Sequence, residues 1–90
     1  MPSRFDPRKN AANIAKHGVS LADAEPALND PMALTVEDED SEGELRFVTL
    51  GVDFFGRVLY VVWTQRGEDV RLISARKADK SERERYEQGN

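Results

Sequence analysis

The alternation of apolar and polar positions predicts a β-hairpin in the second half of the chain. Two runs rich in β-branched and aromatic residues, 58–64 and 70–75, are separated by a short polar break. Gly67 stands first in a two-residue loop, which suits a type II′ turn and sets Arg66 opposite Asp69. Neither face of this hairpin is purely polar, so we expect it to lie centrally in a sheet with other elements on both sides. The face expected to build the core carries Leu59, Val61, Trp63, Leu72 and Ser74.

Two helices are predicted before the sheet. Asp6 can cap the first of them and Pro7 suits its first position, whereas Gly18 is typical of the residue just after a helix end. The apolar positions of this helix form a narrow stripe of Ala11, Ile14 and Ala15. The second helix starts after Ser20 with a capping-box-like spacing, and Pro26 must either shorten it or bend it.

Two further strands are predicted before the hairpin, at residues 32–36 and 45–52. A polar third helix is predicted at 78–87, capped by either Asp79 or Ser81, each with a glutamate three residues later. The order of elements predicts an α+β fold with two N-terminal helices, a four-stranded and mainly antiparallel meander sheet, and a short C-terminal helix.

Composition limits the chain to one modest soluble domain covering residues 1–90. Its 39% hydrophobic and 33% charged content is that of a globular protein. No apolar run approaches the roughly 20 residues of a membrane span, and the N-terminus lacks the apolar core of a signal peptide, so we expect a cytoplasmic protein without a membrane partner. The net charge of −4 is uneven, because residues 20–44 carry nine acids and no base while both ends are basic.

Few metal ligands are available in this sequence. The absence of cysteine and the single histidine exclude disulfides, thiol catalysis and histidine-rich metal sites. The acidic run at residues 37–44 lacks the ligand spacing and the mid-loop glycine of a calcium loop, so we expect a solvated connection. We therefore expect no metal and no other cofactor.

The residues left for chemistry suit RNA cleavage without a metal ion. A base removes the 2′-hydroxyl proton, cations stabilise the charge that builds on phosphorus, and an acid protonates the leaving oxygen. His17 is best matched to proton transfer near neutral pH, although its charge could equally serve the helix C-terminus. The hairpin arginines could each bind two phosphate oxygens, or could pair with acids at strand ends. Trp63 could stack on a base or lie in the core.

Several stretches resemble one known protein family. They are residues 5–9, 13–20, 30–31, 44–47 and 71–78, together with Gly51, Glu82 and Tyr86. Read in order, they resemble the BrnT family, the toxin half of a bacterial type II toxin–antitoxin pair. The resemblance implies a RelE-like ribonuclease fold, RNA cleavage that arrests translation, and neutralisation by a ribbon-helix-helix antitoxin called BrnA. It also implies that the complex binds its operator DNA only through the antitoxin.

Two functional hypotheses follow. In the first, the chain is a metal-independent endoribonuclease with catalytic residues His17, Arg66, Arg71 and Arg76. Its RNA-binding residues are then Lys9, Lys16, Lys77 and Lys80. In the second, the chain is a catalytically degenerate toxin homologue that only binds the antitoxin and acts in operon repression. Arg71 and Arg76 are five positions apart and can share a site only if the strand breaks or twists near residues 74–75.

Overall fold

Four antiparallel strands form the sheet in the computed structural model, which describes residues 5–38 and 43–89. They are β1 Leu34–Glu37, β2 Arg46–Val52, β3 Val58–Arg66 and β4 Asp69–Lys77. The strands are adjacent in chain order, so the sheet is a simple meander. The predicted α+β class and meander are confirmed. Of the predicted acidic connection, residues 39–42 lie outside the described residues.

The β3–β4 hairpin has the predicted turn and an unpredicted bulge. Arg66 pairs with Asp69, and Gly67 has φ of 61° while Glu68 keeps a negative φ, as a type II′ turn requires. The register then shifts, because Val62 pairs with Ser74 whereas Trp63 pairs with Leu72. One extra residue of β4, Ile73, is left without a partner opposite. The prediction that Ser74 shares the core face is therefore wrong, since the bulge reverses the alternation beyond Leu72.

The core lies between one face of the sheet and the N-terminal helices. Three predicted core residues, Leu59, Val61 and Leu72, are almost completely buried, and Trp63 packs against them. The bulge adds Ala75 to the same face. The helical layer contributes Val19, Leu21, Ala24 and Ala27. Trp63 stacks on Phe47 with ring centroids 4.7 Å apart, and its indole N–H donates to the Thr49 hydroxyl at 2.8 Å, so it is a partly buried residue that packs against the core.

Helix α1 spans Pro7–His17 with Asp6 as its N-cap and left-handed Gly18 as its C-cap, as predicted. Its apolar stripe, however, faces solvent, and Ile14 is 46% exposed. The helix instead buries Asn13, whose side chain bonds the backbone of Val19 and Ala75. Hydrogen bonding to backbone groups thus replaces apolar packing on the buried side of α1.

Two shorter helical segments complete the fold. Helix α2 covers Leu21–Ala24 and continues as a 3₁₀ helix over Glu25–Asn29, so the segment is broken at Pro26 as predicted. Helix α3 covers Lys80–Gln88 and has a complete capping box between Asp79 and Glu82, the first of the two predicted caps. It lies against β2 and β3 and buries no residue of its own.

Candidate functional site

A polar cavity of about 260 Å³ gathers cationic side chains near the β3–β4 turn. Strand pairing explains part of this convergence. Arg46 on β2 and Arg71 on β4 both pair with Thr64 of β3, so the three stand side by side on one face of the sheet. Arg66 lies two residues beyond Thr64 and shares that face. The cavity is lined by Asp6, Lys9, Glu44, Arg46, Arg66, Arg71, Leu72 and Ile73.

Helix α1 brings its first turn to this cavity. The Asn13 side chain contacts Ala75, and Lys9 lines the same cavity as Leu72 and Ile73, so α1 runs along β4 in the same direction as the strand. The N-terminal end of α1 therefore adds one cation, Lys9, and one carboxylate, Asp6. Asp6 already accepts a hydrogen bond from the Arg8 amide as the helix cap.

The charges in this cavity are unbalanced in favour of the cations. Four basic side chains face two carboxylates, and an ion pair joins Arg66 to Glu44 at 3.2 Å. Both partners are more than a third exposed, so this pair holds its charges weakly. The Nε of Arg46 is buried and has no hydrogen-bond partner in the part of the chain that the structure describes. A buried donor without an acceptor is costly, and an anion with several oxygens would satisfy it.

Arg71 and Arg76 lie on the same face because of the bulge. Their partners on β3 are Thr64 and Tyr60, four residues apart, so the two arginine backbones are about 13 Å apart along the strand. The sequence predicts that the two arginines share a face only if the strand breaks or twists near residues 74–75. The structure provides this break as the bulge at Ile73, one residue before the predicted position. The structure nevertheless does not bring Arg76 to the cavity that Arg66 and Arg71 line.

Arg76 is held by the C-terminal helix. Its two terminal nitrogens bond the two carboxylate oxygens of Glu82 at 2.8 and 2.9 Å, and its guanidinium lies 3.9 Å from the centre of the Tyr60 ring. The hydrogen bond with Glu82 raises the pKa of Arg76, and the same bond holds the pKa of Glu82 below its ordinary value. This arginine therefore joins β4 to α3 and has few donors free for a ligand.

The remaining predicted residues lie further along α1 and β4, away from the cavity. His17 is eight residues beyond Lys9 on α1, about 12 Å along the helix axis. Lys16 is adjacent to it, and Lys77 and Lys80 stand where β4 passes into α3. The predicted set thus divides into a group at the cavity, Lys9, Arg66 and Arg71, and a group at the other end of β4.

Five cavity residues were missing from the sequence-based site, and three of them are charged: Asp6, Glu44 and Arg46. Arg46 and Glu44 are in a stretch that carries the family resemblance, but the pairing of β2 with β3 decides what they face. A register shift of one residue would send Arg46 to the opposite side of the sheet. The signal available in the sequence was a lone charged residue, Arg46, at the start of a mainly apolar strand.

Residues 5–38 and 43–89 contain no group of three or more histidine and acidic side chains placed to hold a metal ion. Within the same residues, no helix is long and apolar enough to cross a membrane.

The chain is similar to known ribonuclease toxins. Residues 5–82 match the family described as the ribonuclease toxin BrnT of type II toxin–antitoxin systems. Among solved structures, the Brucella abortus ribonuclease toxin BrnT matches with a TM-score of 0.69 and 28% sequence identity, covering 89% of this chain and 99% of that chain. No curated protein matches significantly. Since the family match spans most of the sequence, the chain belongs to the BrnT family of ribonuclease toxins.

Proposed function

We propose that this ribonuclease binds the scissile phosphate of RNA in the cavity lined by Lys9, Arg46, Arg66 and Arg71. The observation that carries the proposal is Arg46, which lines a cavity with an excess of cations and whose buried Nε has no acceptor among the described residues. A phosphate group offers several oxygens to such donors, and guanidinium groups bind two of them at once.

The cavity contains groups for each step of a metal-independent cleavage. The 2′-oxygen attacks phosphorus while its proton passes to the Glu44 carboxylate, and the bond from phosphorus to the 5′-oxygen breaks. Arg46 and Arg71 stabilise the negative charge on the phosphoryl oxygens as they become more charged. The Lys9 ammonium gives a proton to the departing 5′-oxygen. The products are a 2′,3′-cyclic phosphate and a free 5′-hydroxyl.

His17 remains the alternative proton-transfer residue. It is well suited to the chemistry, but it lies at the far end of α1 from Lys9. If His17 is catalytic, the reaction takes place near the C-terminal end of α1 and the Arg46 cavity only binds RNA. The two arrangements make opposite predictions for Glu44 and His17 variants.

We further propose that a ribbon-helix-helix antitoxin of the BrnA type neutralises the chain in the cytoplasm. The family is one half of a type II pair, which implies a protein antitoxin. The net charge of −4 disfavours direct contact with DNA, so binding to operator DNA is assigned to the antitoxin.

Expression of the chain without its antitoxin, followed by mapping of cellular RNA ends, tests the function and the site together. We expect growth arrest and new RNA ends with the wild type, and loss of both with Arg46→Gln, Arg71→Gln and Glu44→Gln. Arg85→Gln, an exposed arginine on α3, is the matched control and should remain toxic.

His17→Gln separates the two catalytic arrangements. Full toxicity of this variant, with loss in Glu44→Gln, supports the cavity. The reverse pattern moves the chemistry to the C-terminal end of α1. A wild-type chain that arrests nothing and cleaves no RNA would instead support the degenerate, antitoxin-binding homologue.

A further inference from the structure

The turn between β2 and β3 displays two phenylalanines to solvent. Phe54 is 79% exposed and Phe55 is 63% exposed. Their rings lie nearly perpendicular, with centroids 5.6 Å apart, so they form one aromatic surface. The catalytic proposal does not use these side chains, and the core does not need them.

A buried carboxylate fixes the shape of this turn. The Asp53 side chain is fully buried and accepts hydrogen bonds from the amides of Phe55 and Arg57 at 2.9 and 2.8 Å, and from the Arg57 Nε at 2.8 Å. Gly56 adopts φ of 81°, a conformation that favours glycine, and donates its amide to the Asp53 carbonyl at 3.1 Å. The two aromatic rings therefore stand on a backbone that is already ordered before any ligand binds.

One cation contacts the aromatic surface, and two more follow at the neighbouring end of β4. The Arg57 guanidinium lies 5.3 Å from the centre of the Phe55 ring. The end of β4 is adjacent, since Lys77 pairs with Leu59 and the Ala78 amide donates to the Val58 carbonyl at 2.9 Å. Lys77 and Lys80 are both exposed there. Aromatic faces beside positive charges are the arrangement with which proteins bind single-stranded nucleic acid.

We propose that the β2–β3 turn is an auxiliary binding site for single-stranded RNA, with bases stacking on Phe54 and Phe55 and phosphates contacting Lys77 and Lys80. This rests on the proposed function, which supplies RNA as the ligand. The turn is separated from the Arg66 end of β3 by eight residues, about 26 Å. A strand held at both ends would be several nucleotides long. The flanking positive charge favours RNA over a protein partner for this aromatic surface.

Binding of a fluorescent, non-cleavable 2′-O-methyl RNA dodecamer tests the site by anisotropy at fixed salt. Loss of one stacked base should weaken binding roughly 5-fold to 150-fold. We expect an effect of at least 10-fold for the double variant Phe54→Ser, Phe55→Ser, with an unchanged melting temperature because both rings are exposed. Val36→Thr, at an exposed apolar residue on β1, is the control and should bind like the wild type. Phe55→Trp should keep the affinity, and RNA should quench the fluorescence of the new indole.

Two results would overturn the proposal. If the double variant binds the dodecamer as tightly as the wild type, the turn does not bind RNA. If in addition it no longer binds the antitoxin, the aromatic pair is a protein-docking surface. Failure of the proposed function has a different signature, since the wild type would then neither bind nor cleave RNA. Suppose that the wild type cleaves RNA in a manner that depends on Arg46, while the double variant at the turn binds RNA normally. The auxiliary site would then be rejected, and the proposed cleavage site would stand.

Discussion

Asn13 occupies the place of a neighbouring strand beside Ala75. Its carboxamide donates from Nδ2 to the Ala75 carbonyl at 2.8 Å and accepts from the Ala75 amide at 3.1 Å. The same Nδ2 donates to the Val19 carbonyl at 2.8 Å. One side chain therefore satisfies the open edge of β4 at this position and attaches α1, with its cavity residue Lys9, to the sheet.

Replacing Asn13 by alanine should destabilise the protein strongly. Alanine is the better helix former, but the change leaves buried backbone groups of Ala75 and Val19 without partners, at about 1–3 kcal/mol for each group. A urea titration should show a lower midpoint with little change in slope. Asn29→Ala, at an exposed asparagine, should change the midpoint much less. Equal effects of the two substitutions would mean that the Asn13 bonds contribute little.

Gly51 should tolerate no larger residue. A Cβ atom at this position would overlap the Ala27 carbonyl oxygen, and that oxygen belongs to backbone that cannot rotate away. Gly51→Ala must push the 3₁₀ helix off the sheet and should cost about 1–3 kcal/mol. Thermal denaturation measures the loss, and a variant as stable as the wild type would contradict the close packing of Ala27 on β2.

We expect Arg46 to increase the rate of RNA cleavage and to lower the free energy of unfolding. Arg46→Met keeps much of the side-chain length and removes the buried Nε that lacks a partner, so the free energy of unfolding should stay the same or rise. Cleavage of RNA should fall about 100-fold to 1,000-fold, as for loss of one donor to a transition-state anion. Purified protein would be compared for both quantities. A large loss of stability would show that Arg46 has a structural role.

We expect the ion pair between Arg76 and Glu82 to stabilise the folded protein. The bond is bidentate, but the Arg76 side chain is 36% exposed, so Arg76→Gln should cost about 1 kcal/mol. Glu82→Gln should cost a similar amount, and the double variant should add little to either single change. Independent, additive effects in this cycle would show that Arg76 does not work through Glu82 and would favour the prediction that it binds phosphate.

The hydrogen bond from the Tyr86 hydroxyl to Asp30 should make stability fall at high pH. This bond, with burial, raises the pKa of Tyr86 to about 12, compared with an ordinary value of 10.0. Because the folded state favours the neutral phenol, its contribution is complete below pH 10 and is lost as the pH rises towards 12. Tyr86→Phe should remove this loss between pH 10 and 12 in urea titrations, whereas Tyr60→Phe should retain it.

The hydrogen bond between Tyr86 and Asp30 should also make stability fall at low pH. Burial raises the pKa of Asp30, but hydrogen bonds from Tyr86 and from the amides of Met32 and Val52 outweigh it, and the net pKa lies below the ordinary value of 3.8. This contribution is present above pH 3.8 and is lost as the pH falls through the lowered pKa. Asp30→Asn should therefore flatten the acid limb of the stability curve.

Local features of the fold could be predicted from the sequence because their causes lie within a few residues. The Asp6 cap, the Gly18 helix end, the Gly67 turn and the Asp79–Glu82 capping box each depend on backbone groups two to four positions apart. The alternating pattern of β3 likewise identified its buried face. The resemblance to BrnT toxins, read from short stretches of sequence, identified the family.

The candidate site depended on tertiary structure. Asn13 and Ala75 are 62 positions apart. Helical periodicity therefore could not show that α1 buries the polar residue Asn13 and exposes its apolar stripe. Arg46 joins Arg71 only through the pairing of both strands with Thr64. The bulge at Ile73 decides which side of β4 each later residue faces. Local sequence does not decide which face of the sheet each of these side chains occupies. The pairing and register of strands that are distant in sequence decide it, and they are fixed only in the folded sheet.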